Sequence, residues 1–142
     1  MNRTIFLLSL LLAALTACPV YAQKPGNPAK QPTVSVYYFH PTERCPIDQS
    51  IEETTRTLMR TDFSREIKEG TVDFRVINTD DKANQKLVSQ FVMNAQALYV
   101  IKHNGGKETR NDLTEFAFSH CQGNPGKFKA ELKQAVLKAL QK

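Results

Sequence analysis

Three shortages in this chain of 142 residues narrow what it can be. Long hydrophobic runs are the first: the only one, Thr4 to Thr16, covers 13 residues, short of the about 20 that a helix needs to cross a ~30 Å hydrocarbon layer. Glycine is the second, at 6 residues, and none builds a phosphate-binding loop; Asn104-Gly105-Gly106 has the form of a tight turn, and no serine sits in a nucleophile elbow. Cysteine is the third, at 3 residues, with no Cys-x-x-Cys and no His-x-x-x-His spacing to hold a metal tightly. Charge is mildly one-sided, 19 Lys and Arg against 14 Asp and Glu, for a net +5. No five like charges run together, so the electrostatic footprint of a nucleic-acid binder is missing and the lysines read as solvated helix faces.

What is present begins with a targeting signal. Met1-Asn2-Arg3 carries one positive charge ahead of the Leu-rich run, the order of a signal peptide over residues 1–22. Two processing sites compete. Val20-Tyr21-Ala22 before Gln23 has the small-x-small tendency of a signal-peptidase site, whereas Leu15-Thr16-Ala17-Cys18 resembles a lipobox that would leave Cys18 lipidated. The chain is therefore expected to be exported, periplasmic or extracellular, and membrane-bound only if Cys18 carries lipid. Residues 23–32, with three prolines, a glycine and two lysines, form a flexible leader, and the folded unit is expected over 33–142.

Thr33 to Phe39 is β-branched and aromatic on both faces, as in a central strand covered on both sides. From Pro46 the period changes: Ile47, Ile51, Leu58, Phe63 and Ile67 lie near one helical stripe, with Thr54 and Thr55 filling its gap and Thr61-Asp62 able to divide the region into two helices. Thr71 to Asn78 alternates as a strand. Asp80 or Asp81 can cap a helix with apolar positions Ala83, Leu87, Val88 and Phe91. Ala97 to Ile101 and Lys107 to Arg110 pair as a hairpin across the Asn-Gly turn. Asp112 can start a short helical turn through Leu113, Phe116 and Ala117, and Asn124-Pro125 opens a last helix with Phe128, Leu132, Val136 and Leu140. The order β-α-β-α-β-β-α, with a parallel pair in the first βαβ unit, predicts an α/β domain with a central mixed sheet flanked by helices.

The first strand runs into His40-Pro41-Thr42-Glu43-Arg44-Cys45-Pro46-Ile47-Asp48, which places Cys45 at the start of the following helix. Unpaired N–H groups and the helix dipole favour a thiolate there, and Arg44 pushes the same way, whereas an Asp48 carboxylate facing the sulfur would oppose them. In element order and in this turn, Thr33 to Lys142 resembles the thioredoxin-like superfamily. The resemblance implies a thioredoxin-like fold, with Cys45 on the attacking position of the reactive pair and Asp48 where the second cysteine stands. A carboxylate cannot form the S–S bond, so the ordinary dithiol chemistry of that turn is excluded. The family's cis-proline before the third core strand is also missing: the matching stretch is Asn94-Ala95-Gln96-Ala97, for which a trans peptide is expected.

Three readings of Cys45 follow. It is a monothiol exchanging with a thiol- or disulfide-bearing protein or a small thiol, resolved by Cys121 or from outside; or half of a structural Cys45–Cys121 disulfide in a non-catalytic binding module; or buried and inert, as is Cys121 in that case. On the first reading Cys45, Arg44, Asp48 and Cys121 are the site residues, and no cofactor is implied. A soft-metal site drawn from His40, Cys45, Asp48, His120 and Cys121 is the reading from another class. His40 is otherwise expected to cap its strand, His120 to lie in a surface loop and His103 to face solvent. The acidic pairs Asp80-Asp81 and Glu52-Glu53 read as caps and solvated charge.

Overall fold

The central strand forms where both faces of the sequence are bulky. In the computed structural model, which describes residues 31–91 and 96–141, this is β1 (Val34–His40). Val34, Val36 and Tyr38 enter one core cluster, while Phe39, with Tyr37 packed against it, belongs to another on the opposite face. The signal peptide, all but the last two residues of the leader, and Asn94-Ala95 lie outside the described residues.

Helix α1 (Pro46–Asp62) opens with proline at its first position, where the missing N–H costs nothing. Its buried stripe holds Ile51, Thr55 and Leu58, as the periodicity requires, together with Met59 and Asp48. The helix breaks at Phe63, which buries its ring, and resumes as α2 (Ser64–Lys68), so the division near Thr61-Asp62 is present. Gly70, at φ 71°, turns the chain into β2 (Val72–Asn78). β2 pairs parallel with β1 from Val34–Val72 to His40–Asn78.

The next segment departs from expectation. In place of one helix to Phe91, a 3-10 turn (Lys82–Asn84) leads into a single turn, α3 (Gln85–Val88), and Ala83 is exposed. Asp81 supplies the cap, accepting from the Ala83 amide. Ser89 donates to the Lys86 carbonyl, a local bond that competes with continuing the helix. Only Leu87, Val88 and Phe91 have sheet to rest on, packing with Phe39, Ile77 and Tyr99.

β3 (Ala97–Asn104) runs antiparallel beside β1, and β4 (Lys107–Asp112) beside β3. The two-residue turn between them is Gly105-Gly106, with φ of 56° and 84°, the double positive that a primed hairpin turn requires. Sheet order is β2-β1-β3-β4. β4 is exposed along its whole length and carries Lys107, Glu108, Arg110 and Asp112, charges that blunt an open edge. Asp112 accepts from the Thr114 amide at the start of α4 (Thr114–His120), and Asn124 caps α5 (Pro125–Leu140), which buries Phe128, Leu132, Ala135 and Val136 against the α1 side of the sheet. The molecule is thus α/β, a four-stranded mixed sheet flanked by helices.

On the α3 face the aromatic end of the sheet gives way to a polar one. Phe91 sits 4.8 Å from Phe39 and 5.2 Å from Tyr99, ring centre to ring centre, under the Arg110 guanidinium. Beyond them Tyr37 donates to Asp73, and Ser35 Oγ lies 2.9 Å from His103 Nε2. His103 is therefore half-buried, not solvent-facing as expected, because the hairpin register sets it opposite Glu108 and beside Ser35.

One buried polar atom is left over. Thr55 Oγ1 sits in the core of α1 with no hydrogen-bond partner among the described residues. Thr55→Val keeps the shape and removes the unpaired hydroxyl, and is expected to raise stability by about 1 kcal/mol, read from the urea unfolding midpoint at unchanged slope.

Candidate functional site

The turn from β1 into α1 is a built structure, not a slack loop. Thr79 donates its amide to the His40 carbonyl at 2.8 Å, and the Thr42 amide donates to Asp80 Oδ2 at 2.7 Å. Asn78 Nδ2 donates to Thr42 Oγ1 at 3.1 Å. These bonds tie the approach to Cys45 onto the end of β2. Hydrogen bonding from Thr42 holds the Asp80 carboxyl below the ordinary carboxylate range.

Cys45 is the N-cap of α1, with extended backbone (φ −82°, ψ 166°) as expected before a proline, and it is exposed. Its amide donates to Asp48 Oδ2 at 2.9 Å, so the acid at the third helical position satisfies a donor the helix itself cannot. Asp48 is 1% exposed. Gln96 Nε2 donates to the same oxygen at 3.2 Å, and the Tyr38 hydroxyl lies 3.1 Å from the Asp48 carbonyl and 3.4 Å from Oδ1. Burial, reinforced by the neighbouring Asp48 charge, pushes the Tyr38 phenol far above its ordinary range, so it stays a neutral donor.

Cys121 follows α4 and is buried, with its amide bonded to the Ala117 carbonyl. Its sulfur lies 4.0 Å from the Ile47 carbonyl, and its own carbonyl accepts from Ser50 Oγ at 3.4 Å, so the α4–α5 connection is seated on the first turn and a half of α1. Burial raises the Cys121 thiol above its ordinary range, and a thiolate at Cys45 raises it further. Both thiols are free and are not joined to one another.

Arg44 does not stand alone beside the sulfur. Its guanidinium pairs with Glu52, which also accepts from Arg56 at 2.7 Å, so the Glu52 carboxylate is shared between two cations. His40 ends β1 almost fully buried, with Nδ1 2.8 Å from the Pro41 carbonyl. His120 is not in a surface loop: it closes α4, half-buried and stacked on Phe116 at 4.2 Å, with Lys127 Nζ 3.0 Å from Nε2. Among the described residues no three His, Cys, Asp or Glu side chains converge to hold a metal ion. The structure therefore brings Cys45, Asp48 and Cys121 to one helix start and turns the three histidines to other partners.

Tyr38, Gln96 and Ser50 complete this arrangement and were not singled out from sequence. Tyr38 was within reach: it alternates with Val34 and Val36, which puts it under α1. Nothing local marks Gln96, whose role depends on where β3 begins. A second cluster, set by strand register and not by any local motif, runs from Ser35 to His103 Nε2 at 2.9 Å and from His103 Nδ1 to Glu108 at 3.4 Å, the atom order of a hydrolytic triad. Ser35 is fully buried in β1, whose amides are taken up by pairing with strands on both sides. With the serine buried and its strand paired on both sides, the line serves as polar satisfaction across the sheet.

Comparison of the chain with protein-family models, with curated proteins and with solved structures gives no match. No helix among the described residues is long and apolar enough to cross a membrane.

The Thr42–Asp80 bond gives a direct test of how firmly the turn is held. Because the folded carboxyl titrates below its unfolded value, the bond contributes at pH above about 4 and is lost as pH falls through the folded value. Asp80→Ala is expected to abolish hydrogen-exchange protection of the Thr42 amide at neutral pH. In the unaltered protein the same protection is expected to fade only in acid.

Proposed function

We propose that this chain is an exported protein of the thioredoxin-like class that carries out thiol-disulfide exchange through Cys45, with Cys121 as its internal resolving thiol. The sheet order, the parallel β1–β2 pair and the antiparallel β3 and β4 are what that fold requires, and the leading 22 residues support export. The observation that carries the chemistry is the pairing of an exposed thiol at the N-cap of α1 with a buried thiol lodged behind that helix's first turn. Asp48 occupies the place from which a second cysteine of the turn would act, and Cys121 reaches the same end of α1 from the α4–α5 connection.

A Cys45 thiolate attacks one sulfur of a disulfide R–S–S–R′, forming Cys45–S–S–R and releasing R′S⁻. A Cys121 thiolate then attacks the Cys45 sulfur, releasing RS⁻ and leaving a Cys45–Cys121 disulfide. The substrate has gained two electrons and the protein has lost them; an external dithiol returns them.

Oxidised glutathione is a sufficient probe. Intact-mass measurement of the reduced mature protein after its addition is expected to show an internal disulfide. Cys121→Ser is expected to stop at a stable one-glutathione adduct on Cys45, and Cys45→Ser to give no adduct. A protein isolated with the two cysteines already joined, which neither glutathione nor mild reductant alters, would instead make this a stapled binding module. The discharge step carries its own pH signature. Since burial raises the Cys121 thiol above its ordinary value of 9.0, the thiolate fraction climbs about tenfold per pH unit up to and past that value. Loss of glutathione from Cys45 in the unaltered protein is expected to accelerate in step, measured by stopped-flow with acid quench.

A further inference from the structure

We propose that Asp48 is a positioning residue that makes Cys45 a holding thiol, one that keeps its mixed disulfide against outside thiols and gives it up to Cys121. This rests on the exchange chemistry proposed above and adds to it the route by which the adduct is released.

The geometry holds a carboxylate within about 7 Å of the reacting sulfur. Asp48 Oδ2 is 2.9 Å from the Cys45 amide nitrogen, and covalent geometry keeps a cysteine sulfur within about 4 Å of its own nitrogen, so the two lie within about 7 Å. The carboxylate cannot swing into water. Gln96 from the residue before β3, Tyr38 from β1 and the start of α1 surround it, leaving it 1% exposed. Of the nearby cations, Arg44 and Arg56 are both engaged by Glu52.

Two routes of release differ in which sulfur departs. When an outside thiolate attacks the R sulfur of Cys45–S–S–R, the Cys45 thiolate is expelled next to the Asp48 carboxylate, and a leaving thiolate beside a negative charge leaves more slowly. When Cys121 attacks the Cys45 sulfur, RS⁻ is expelled and no charge collects on Cys45. The acid therefore slows the first route and spares the second. It also caps the helix, so the same side chain that orders the turn decides how the adduct is discharged.

The test uses Asp48→Asn, which keeps an oxygen for the Cys45 amide and removes the charge. With Cys121→Ser present to block internal discharge, the glutathione adduct is expected to be released by reduced glutathione about tenfold faster when residue 48 is asparagine. The pH–rate profile of Cys45 alkylation by iodoacetamide is expected to move to lower pH. With Cys121 intact, discharge is expected to change by less than about threefold, short of the effect on the outside route. An unmoved alkylation profile, or one displaced to higher pH, overturns the proposal. Should the asparagine variant fail to fold, Asp48→Ser is measured in its place; failure of both to fold shows a purely structural acid and also overturns it. If the unaltered protein forms no adduct with oxidised glutathione, the exchange reading falls, while the alkylation profile still decides whether Asp48 governs the sulfur.

Discussion

The structure turns on a carboxylate that water does not reach. Asp48 is buried at the first turn of α1, and burying an ionisable acid is costly unless its oxygens are occupied. Here the Cys45 amide and the Gln96 side chain fill one oxygen, and the Tyr38 hydroxyl approaches the other. Each donor comes from a different element: the α1 cap, the residue before β3, and β1. Satisfying one acid thereby fixes where the helix begins relative to two adjacent strands, and the exposed thiol one residue before the helix inherits that rigidity.

The same logic sets how much of the molecule was legible in advance. β1, α1, β2, the hairpin and α5 follow from patterns that are local: bulk on both faces of Thr33–Phe39, a stripe through Ile51 and Leu58, the Asn-Gly turn, the Asn124-Pro125 cap. The position of Cys45 was legible for the same reason, since a cap before a proline is a property of neighbouring residues. What was not legible depends on register. His103 is half-buried because β3 and β4 pair so that it meets Glu108, and Gln96 reaches Asp48 because β3 starts where it does. The segment after β2 failed differently: four apolar residues at helical spacing form only a 3-10 turn and one α turn, because local side-chain bonds such as that of Ser89 offer the backbone another partner.

The two sheet faces are built on different terms. The α1–α5 side is a continuous apolar core, from Val34 and Leu58 to Phe128 and Leu132. Among the described residues, the other side is apolar where Leu87, Val88 and Phe91 cover it, and it turns polar toward the start of β1, where Ser35, Tyr37, Asp73 and His103 bond to one another across three strands. Each of those groups finds a partner in a neighbouring strand, which lets a sheet face with little helix over it avoid unpaired buried polar atoms. Their chemistry is spent on one another.

That contrast bears on which residues remain available for chemistry. A nucleophile must be both reachable and uncommitted, and Ser35 is neither. Cys45 is exposed, and it caps α1 in a reciprocal box with Asp48, its amide donating to the Asp48 carboxylate. Its nearest chemical complement is not in its own turn but 76 residues along the chain, where α4 ends and Cys121 is pressed against the Ile47 carbonyl. An acid in the turn and a thiol behind it meet at one helix start: Asp48 caps it, and Cys121 packs on it from the α4–α5 connection. The exchange chemistry proposed above needs the α4–α5 connection to stay packed on α1 and to yield only enough for one sulfur to meet the other. The contacts of Cys121 with Ser50 and Ile47 therefore matter to its chemistry as much as its distance in sequence from Cys45.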